Sequence, residues 1–333
     1  MNLALENGQI RRCHNLVWRR ALPDWLTSET WSREELMYIL GNHIKNVVSK
    51  YEGRCYAWDV VNEAFHNNGT WQSHIWYDTI GPEYVSFAFK TARKYTTAKL
   101  YYNDDNMTDI NPKVDAVRSM ILKFQADDIP IDGVGIEGHE TVGKAPDYTA
   151  MLQAMRYFAS IPNLEIAITE LDVGIPQPSD EAKLEQQAEV YANAVAACQK
   201  VGACVGVTVW DVWDTVSWVP SSRPWLGDAQ LFWPNLTTVI GMVRSKFAVF
   251  VDCALNVDIP RDTYACSCIT SLDTTAYSKY KQELFVINGT SGVRNHLERK
   301  HQIDPQNGVK RHGWTRKSVL EQQTGAAATN TFF

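Results

Sequence analysis

Short β-rich runs alternate along the chain with longer segments of helical period, and polar residues gather where those runs end. Together these observations predict the α/β class, as a TIM (β/α)8 barrel that is incomplete, with about six βα units recognisable. The strand candidates are Arg12–Trp18, Cys55–Asn62, Leu100–Asn103, Gly133–Ile136, Glu165–Leu171 and Val205–Trp210. Helices are expected between them. Ser32-Arg33-Glu34-Glu35 has the form of a capping box, and Leu36, Leu40, Ile44 and Val47 share one face of the helix it opens. Pro112 suits a first helical position, with Val114, Val117, Ile121 and Phe124 as the apolar stripe. A third helix is predicted from about Asp180 to Cys198, through Leu184, Ala188, Tyr191 and Val195.

Asn62 and Glu63 close one strand candidate, Asn103 and Asp104 another, Glu137 and His139 a third, Glu170 and Asp172 a fourth. A parallel barrel places its chemistry at the C-terminal ends of several strands, whereas a doubly wound sheet focuses it at one crevice beside a glycine-rich loop. The chain has no G-x-G-x-x-G and no G-x-x-x-x-G-K, which favours the barrel.

The net charge of −6 argues against a nucleic acid or an anionic membrane surface as partner, and no apolar run reaches the roughly 18 residues of a membrane span. Twelve Trp and 14 Tyr suit both a packed core and a site that stacks ring faces on sugars, so a neutral substrate is expected. Of the seven cysteines, Cys198 and Cys204 bracket a short turn between a helix and a strand pattern, where a local disulfide is expected. The others are Cys13, Cys55, Cys253, Cys266 and Cys268; no paired C-x-x-C or histidine spacing marks a metal site. Glycosylation sequons stand at Asn68, Asn106, Asn235 and Asn288, while the first residues show no basic-then-apolar signal-peptide pattern. Residues 241–333 hold 12 Lys and Arg against 8 Asp and Glu, so this stretch is +4 and the preceding 240 residues are −10. The domain reading is therefore a barrel over 1–240 and an unassigned, partly disordered tail over 241–333.

Glu63 and Glu170 each follow a strand-like apolar run, Ala-Trp-Asp-Val-Val-Asn-Glu and Ile-Ala-Ile-Thr-Glu. Alone, either is an ordinary glutamate at a strand end. Two carboxyls across a glycosidic bond, about 5–5.5 Å apart, are what retaining glycoside hydrolysis requires. Asn62, directly before Glu63, can bond the sugar hydroxyl beside the reacting carbon, and His139 is placed to hold a carboxylate ionised.

The chain resembles family 10 glycoside hydrolases, the endo-1,4-β-xylanases, and most of all fungal ones. The matching segments are Arg-Cys-His-Asn-Leu-Val-Trp (12–18), Leu-Pro-Asp-Trp-Leu (22–26), Trp-Asp-Val-Val-Asn-Glu-Ala (58–64) and Leu-Tyr-Tyr-Asn-Asp (100–104). They continue with Asp-Gly-Val-Gly-Ile-Glu-Gly-His (132–139), Ile-Thr-Glu-Leu-Asp-Val (168–173), Val-Thr-Val-Trp-Asp (207–211), Ser-Trp-Val-Pro-Ser (217–221) and Gly-Asp-Ala (227–229). The resemblance implies retaining endo-hydrolysis of xylan, with Glu63 as acid/base and Glu170 as nucleophile. It implies substrate-binding roles for His14, Trp18, Asn62, His139, Trp210 and Trp218, with His139 bonded to the nucleophile. It further implies no cofactor, xylan as partner, a monomer, and an extracellular location. It also implies two βα units before the His14 strand and a different C-terminal stretch, so the reading expects a truncated barrel. Glu137, Arg19 and Asp105 stand where the family commonly has glutamine, histidine and tyrosine. The alternatives are a β-1,4-glucanase or an inactive, xylan-binding remnant.

Overall fold

A computed structural model describes Ala4 and residues 9–211 and 213–233. The tail over 241–333, with Cys253, Cys266 and Cys268 and the sequons at Asn235 and Asn288, lies outside the described residues.

Six parallel strands carry the fold: β1 (Arg12–Trp18), β2 (Ala57–Asn62), β3 (Lys99–Asp104), β4 (Gly133–Ile136), β6 (Glu165–Pro176) and β7 (Cys204–Val209). They pair in chain order, and among the described residues no ladder joins β7 to β1, so the barrel wall is an open arc. Two short strands escaped the sequence reading. β5 (His139–Thr141) runs parallel to the far half of β6, and β8 (Leu226–Gly227) pairs antiparallel with its end. These partners explain why β6 runs five residues past the expected Leu171. Glu170 and Asp172 therefore sit inside a strand and not at its end. His14 likewise sits within β1, as its third residue.

Helices α1 (Arg33–Lys50), α2 (Ile75–Ile80), α3 (Glu83–Arg93), α4 (Pro112–Ala126), α5 (Tyr148–Ala159) and α6 (Glu181–Gln199) cover the outer face. The capping box at α1 forms in full: Ser32 Oγ accepts from the Glu35 N–H, and Glu35 returns to the Ser32 N–H. Leu36, Leu40 and Ile44 are buried as the period demands, although the last turn buries Val48 in place of Val47. Asn111 caps α4 before Pro112, and Asp180 caps α6. α2, α3 and α5 fill connections where helices are expected but given no bounds, and Asp147 caps α5 through the Ala150 N–H.

The core lies between strands and helices, with Leu36, Ile44, Val60, Phe89, Leu100, Ile121, Phe158 and Ile168 essentially inaccessible to solvent. Burying each such side chain contributes about 1.5–3 kcal/mol. Two disulfides staple the described region. Cys198–Cys204 closes the α6–β7 turn as expected, and Cys13–Cys55, which was not expected, ties β1 to the entry of β2. Asn68 and Asn106 are exposed. No helix among the described residues is long and apolar enough to cross a membrane.

Candidate active site

The register of the arc brings the polar residues together. Trp18 pairs with Asn62, Asn62 with Asn103, and Asp104 with Ile136, so the C-terminal ends of β1 to β4 lie level. At this level opens a cleft of about 1030 Å³. Glu63, Glu170, His14, Trp18, Asn62, His139, Trp210, Trp218 and Glu137 all line it, so every residue assigned to a site from sequence reaches one groove.

Glu170 is held from three sides. Its Oε1 accepts from Asn103 Nδ2 at 2.9 Å, with His14 Nδ1 at 3.6 Å; its Oε2 faces His139 Nε2 at 3.3 Å. Asn103 reaches across from β3 because Gly135 on the intervening β4 has no side chain: a Cβ there would overlap Asn103 Oδ1. That oxygen accepts from Thr169 Oγ1 at 2.6 Å, which fixes which way the amide faces. The β6 ladder also shifts register against β7 between Ile168 and Leu171, an irregularity of the kind that re-aims side chains beside active sites.

Both imidazoles are backed by buried carboxylates. His139 Nδ1 donates to Asp172 Oδ2 at 2.9 Å, and Trp218 Nε1 donates to the same oxygen at 2.7 Å. Burial works against a charge on His139, but Asp172, Glu170 and Glu137 outweigh it and hold its pKa well above the ordinary value. His14 Nδ1 stands 3.1 Å from Asp59 Oδ2, and Arg12 Nη2 donates to Asp59 Oδ1 at 2.6 Å. Burial opposes charge on His14 too, yet Glu170 and Asp59 together raise its pKa. Burial would raise the Asp59 carboxyl, but Arg12 and His14 reverse this and hold it below the ordinary value. Around Glu170, then, the protein sets two imidazoles whose pKa values are raised, each anchored by its own acid.

Glu63 sits in different surroundings. It directly follows β2 with φ at 51°, a left-handed conformation that costs a non-glycine residue about 1–2 kcal/mol. Its N–H donates to the Asn103 carbonyl at 3.0 Å, anchoring the turn. Arg19 Nη2 donates to Oε2 at 3.1 Å, and Asn62 Nδ2 to Oε1 at 3.4 Å. The Glu63 side chain is 16% exposed against 6% for Glu170, so one carboxyl meets solvent more than the other.

Glu137 is buried between these groups, with Oε1 3.2 Å from Asn103 Nδ2 and Oε2 3.5 Å from His139 Nε2. Burial first, and the neighbouring Glu170 second, push its pKa well above the ordinary value. Glu137, His139 and Glu170 present ligand atoms within 4.8 Å of one another, a donor set that could hold a cation. Two tryptophans complete the walls. Trp210 meets His14 edge-on at 5.5 Å between ring centroids, and Trp218 meets His139 at 4.7 Å.

Sequence reasoning missed the supporting groups. Asp172, read from the sequence as a strand-end residue without a role, bonds both His139 and Trp218. Asp59 and Arg12 were not singled out, and the signal available was a carboxylate within the apolar run Ala57–Asn62. Asp105 turns out to pair with Lys113, a lysine buried on α4 that also holds Asp104 at 2.9 Å.

The glycosyl hydrolase family 10 model matches residues 1–237. Among curated relatives, an endo-1,4-β-xylanase A from Humicola insolens is 41% identical over 218 residues, covering 65% of this chain and 58% of that protein. An endo-1,4-β-xylanase from Agaricus bisporus is 39% identical over 220 residues, covering 66% and 65%. The chain thus spans less than two thirds of the length of the curated relatives it matches. A crystal structure of a GH10 xylanase from Bispora sp. MEY-1 with xylobiose superposes with a TM-score of 0.68 at 40% identity, covering 71% of this chain and 74% of that one. The endo-1,4-β-xylanase XylE of Penicillium canescens gives 0.68 at 41% identity, covering 71% and 73%. A parallel arc with its polar cleft at the strand ends, matched in sequence and structure over the same region, makes this chain a member of glycosyl hydrolase family 10.

Proposed function

We propose that this chain hydrolyses β-1,4-xylosidic linkages within xylan by double displacement with retention, outside the cell that makes it. The carrying observation is the contrast between two carboxyls on one cleft: Glu170 fixed by Asn103, His14 and His139, and Glu63 more open beside Asn62 and Arg19. Glu170 is the nucleophile. Its oxygen bonds to the anomeric carbon as the glycosidic C–O bond breaks, and Glu63 gives its proton to the departing oxygen. Glu63, now ionised, takes a proton from water as that water's oxygen displaces Glu170, which restores both groups. This chemistry needs two carboxyls and no metal. The Asn62 amide is placed beside Glu63 to bond a sugar hydroxyl next to the reacting carbon, and Trp18, Trp210 and Trp218 offer apolar walls to sugar rings.

The xylanases among the relatives support the choice of substrate, and two disulfides within the described residues suit an oxidising, extracellular setting. The test is release of reducing ends from xylan and from carboxymethylcellulose by the full chain, with the anomer formed first followed by proton NMR. Xylan cleavage with retention is expected. Preferential cleavage of the cellulose derivative would mark a β-1,4-glucanase. Binding of xylan without turnover would mark an inactive remnant.

A further inference from the structure

β1 and β2 end level, at the Trp18–Asn62 pair, and the residues that follow them, Arg19 and Glu63, meet through their side chains. Arg20 follows and also turns toward this carboxylate: Arg20 Nε lies 3.9 Å from the Glu63 Oε2 already bonded by Arg19 at 3.1 Å. Two guanidinium groups thus share one carboxylate oxygen at the mouth of the cleft. Arg19 Nε is buried and has no hydrogen-bond partner, and the Arg20 side chain is 60% exposed, with Glu63 as its one ion-pair partner among the described residues. The other charged groups of the cleft are engaged elsewhere: Asp105 holds Lys113, and Glu137 and Glu170 surround His139. Arg223, on the same cleft, lies over Trp218 with its guanidinium carbon 5.4 Å from the ring centroid. In a region that is acidic overall, −10 across residues 1–240, the cleft lining sets four basic side chains (Arg19, Arg20, Lys113 and Arg223) against four acidic ones, and among the described residues Arg20 and Arg223 are the basic ones that no carboxylate hydrogen-bonds.

A neutral sugar gives guanidinium groups nothing to neutralise, whereas a carboxylate matches their planar fork in both charge and geometry. We propose that Arg19 and Arg20 form a carboxylate-recognition site on the leaving-group side of the cleft, selecting xylan that carries uronic acid side groups. This rests on the hydrolase reading above, because Glu63 as acid/base defines that side. Arg20, exposed and only distantly paired, makes the first contact; Arg19, packed beside Glu63, fixes the direction of approach.

The experiment compares glucuronoxylan with the same polymer after its carboxyl groups are reduced to alcohols, which keeps backbone and branching and removes only the charge. Both kcat/KM and retardation in native gels containing each polymer are read. The wild-type chain is expected to favour the charged polymer about two- to fivefold at low ionic strength, the range of an exposed ion pair, and to lose that preference in 0.5–1 M salt, at roughly the concentration where screening is nearly complete. Arg20→Gln should bring the ratio toward one, and Arg20→Lys should keep part of it. Equal treatment of the two polymers, or a preference that survives Arg20→Gln, overturns this site and leaves the xylanase reading standing. Neither cleavage nor retardation of either polymer overturns both. Should Arg20→Gln fail to fold, the wild-type ratio, its salt dependence and Arg20→Lys still decide.

Discussion

Asp172 Oδ2 receives two donors, His139 Nδ1 at 2.9 Å and Trp218 Nε1 at 2.7 Å, while its Oδ1 is buried without a partner. One carboxylate oxygen thus sets the position of the imidazole that faces Glu170 and of a cleft tryptophan. Asp172→Asn keeps the shape but cannot balance a charged His139. The expected result is a lowered His139 pKa by NMR, kcat reduced about 10- to 100-fold, a magnitude typical when an orienting partner is lost, and a stability loss of about 1–3 kcal/mol. A His139 titration identical to that of the wild type would contradict the assigned role.

The two glutamates are separable by their leaving-group dependence. Glu63→Ala should cut xylan hydrolysis about 10²- to 10⁴-fold, the usual contribution of a general acid. It should be nearly harmless to bond cleavage in an aryl xylobioside whose phenolate leaves unprotonated. Glu170→Ala should abolish turnover of both substrates, because no covalent intermediate forms. Burst kinetics on the aryl substrate check the difference. Equal losses on both substrates in Glu63→Ala would remove it from the acid role.

Much of this arrangement was legible from residue order, because a parallel strand puts its last polar residues at one end of the sheet. Asn62, Glu63, Asn103 and Glu137 could be placed that way. Helices with strong local signals were also legible: the Ser32 box, Pro112 and the Asp180 cap act within three or four residues. What could not be read depends on distant partners. The extension of β6 past Leu171 exists because β5 and β8 bind its flanks, and neither is long enough to show a period. Asp59 reads as an intrusion in an apolar run until Arg12 and His14, 47 and 45 residues away, are beside it. α2, α3 and α5 lie in connections long enough to call for a helical crossover, but no bounds are read for them from the sequence.

The unexpected Cys13–Cys55 bridge closes a loop of sequence separation 42, against 6 for Cys198–Cys204. Loop-closure entropy then gives about 4 kcal/mol for the long loop and about 2 kcal/mol for the short one. Replacing Cys13 and Cys55 together by Ala should lower the denaturant midpoint clearly more than replacing Cys198 and Cys204. Urea titrations of both double variants give the comparison; the reverse order would show that unfolded-state entropy is not the dominant effect here.

Glu137 gives the site a pH dependence of definite sign. Burial and the adjacent Glu170 hold its folded pKa well above the ordinary 4.5, so across the interval between those values the native state keeps a proton that the unfolded chain has released. Its contribution to stability is therefore fully present below 4.5 and is lost as pH rises through the folded value. Glu137→Gln has no proton to lose. The difference in Tm, variant minus wild type, should be flat at low pH and grow as pH rises above 4.5. The rate should respond in the same direction. Protonated Glu137 can donate a hydrogen bond as an amide does, and once ionised it sets a second negative charge beside Glu170. Activity in the wild type should then fall on the alkaline side partly because Glu137 ionises, and Glu137→Gln should carry that limb to higher pH. Tm measured from pH 4 to 9, alongside kcat/KM over the same range, tests both halves. A pH–rate profile unchanged by the substitution would remove Glu137 from the alkaline limb, even if the stability trend held.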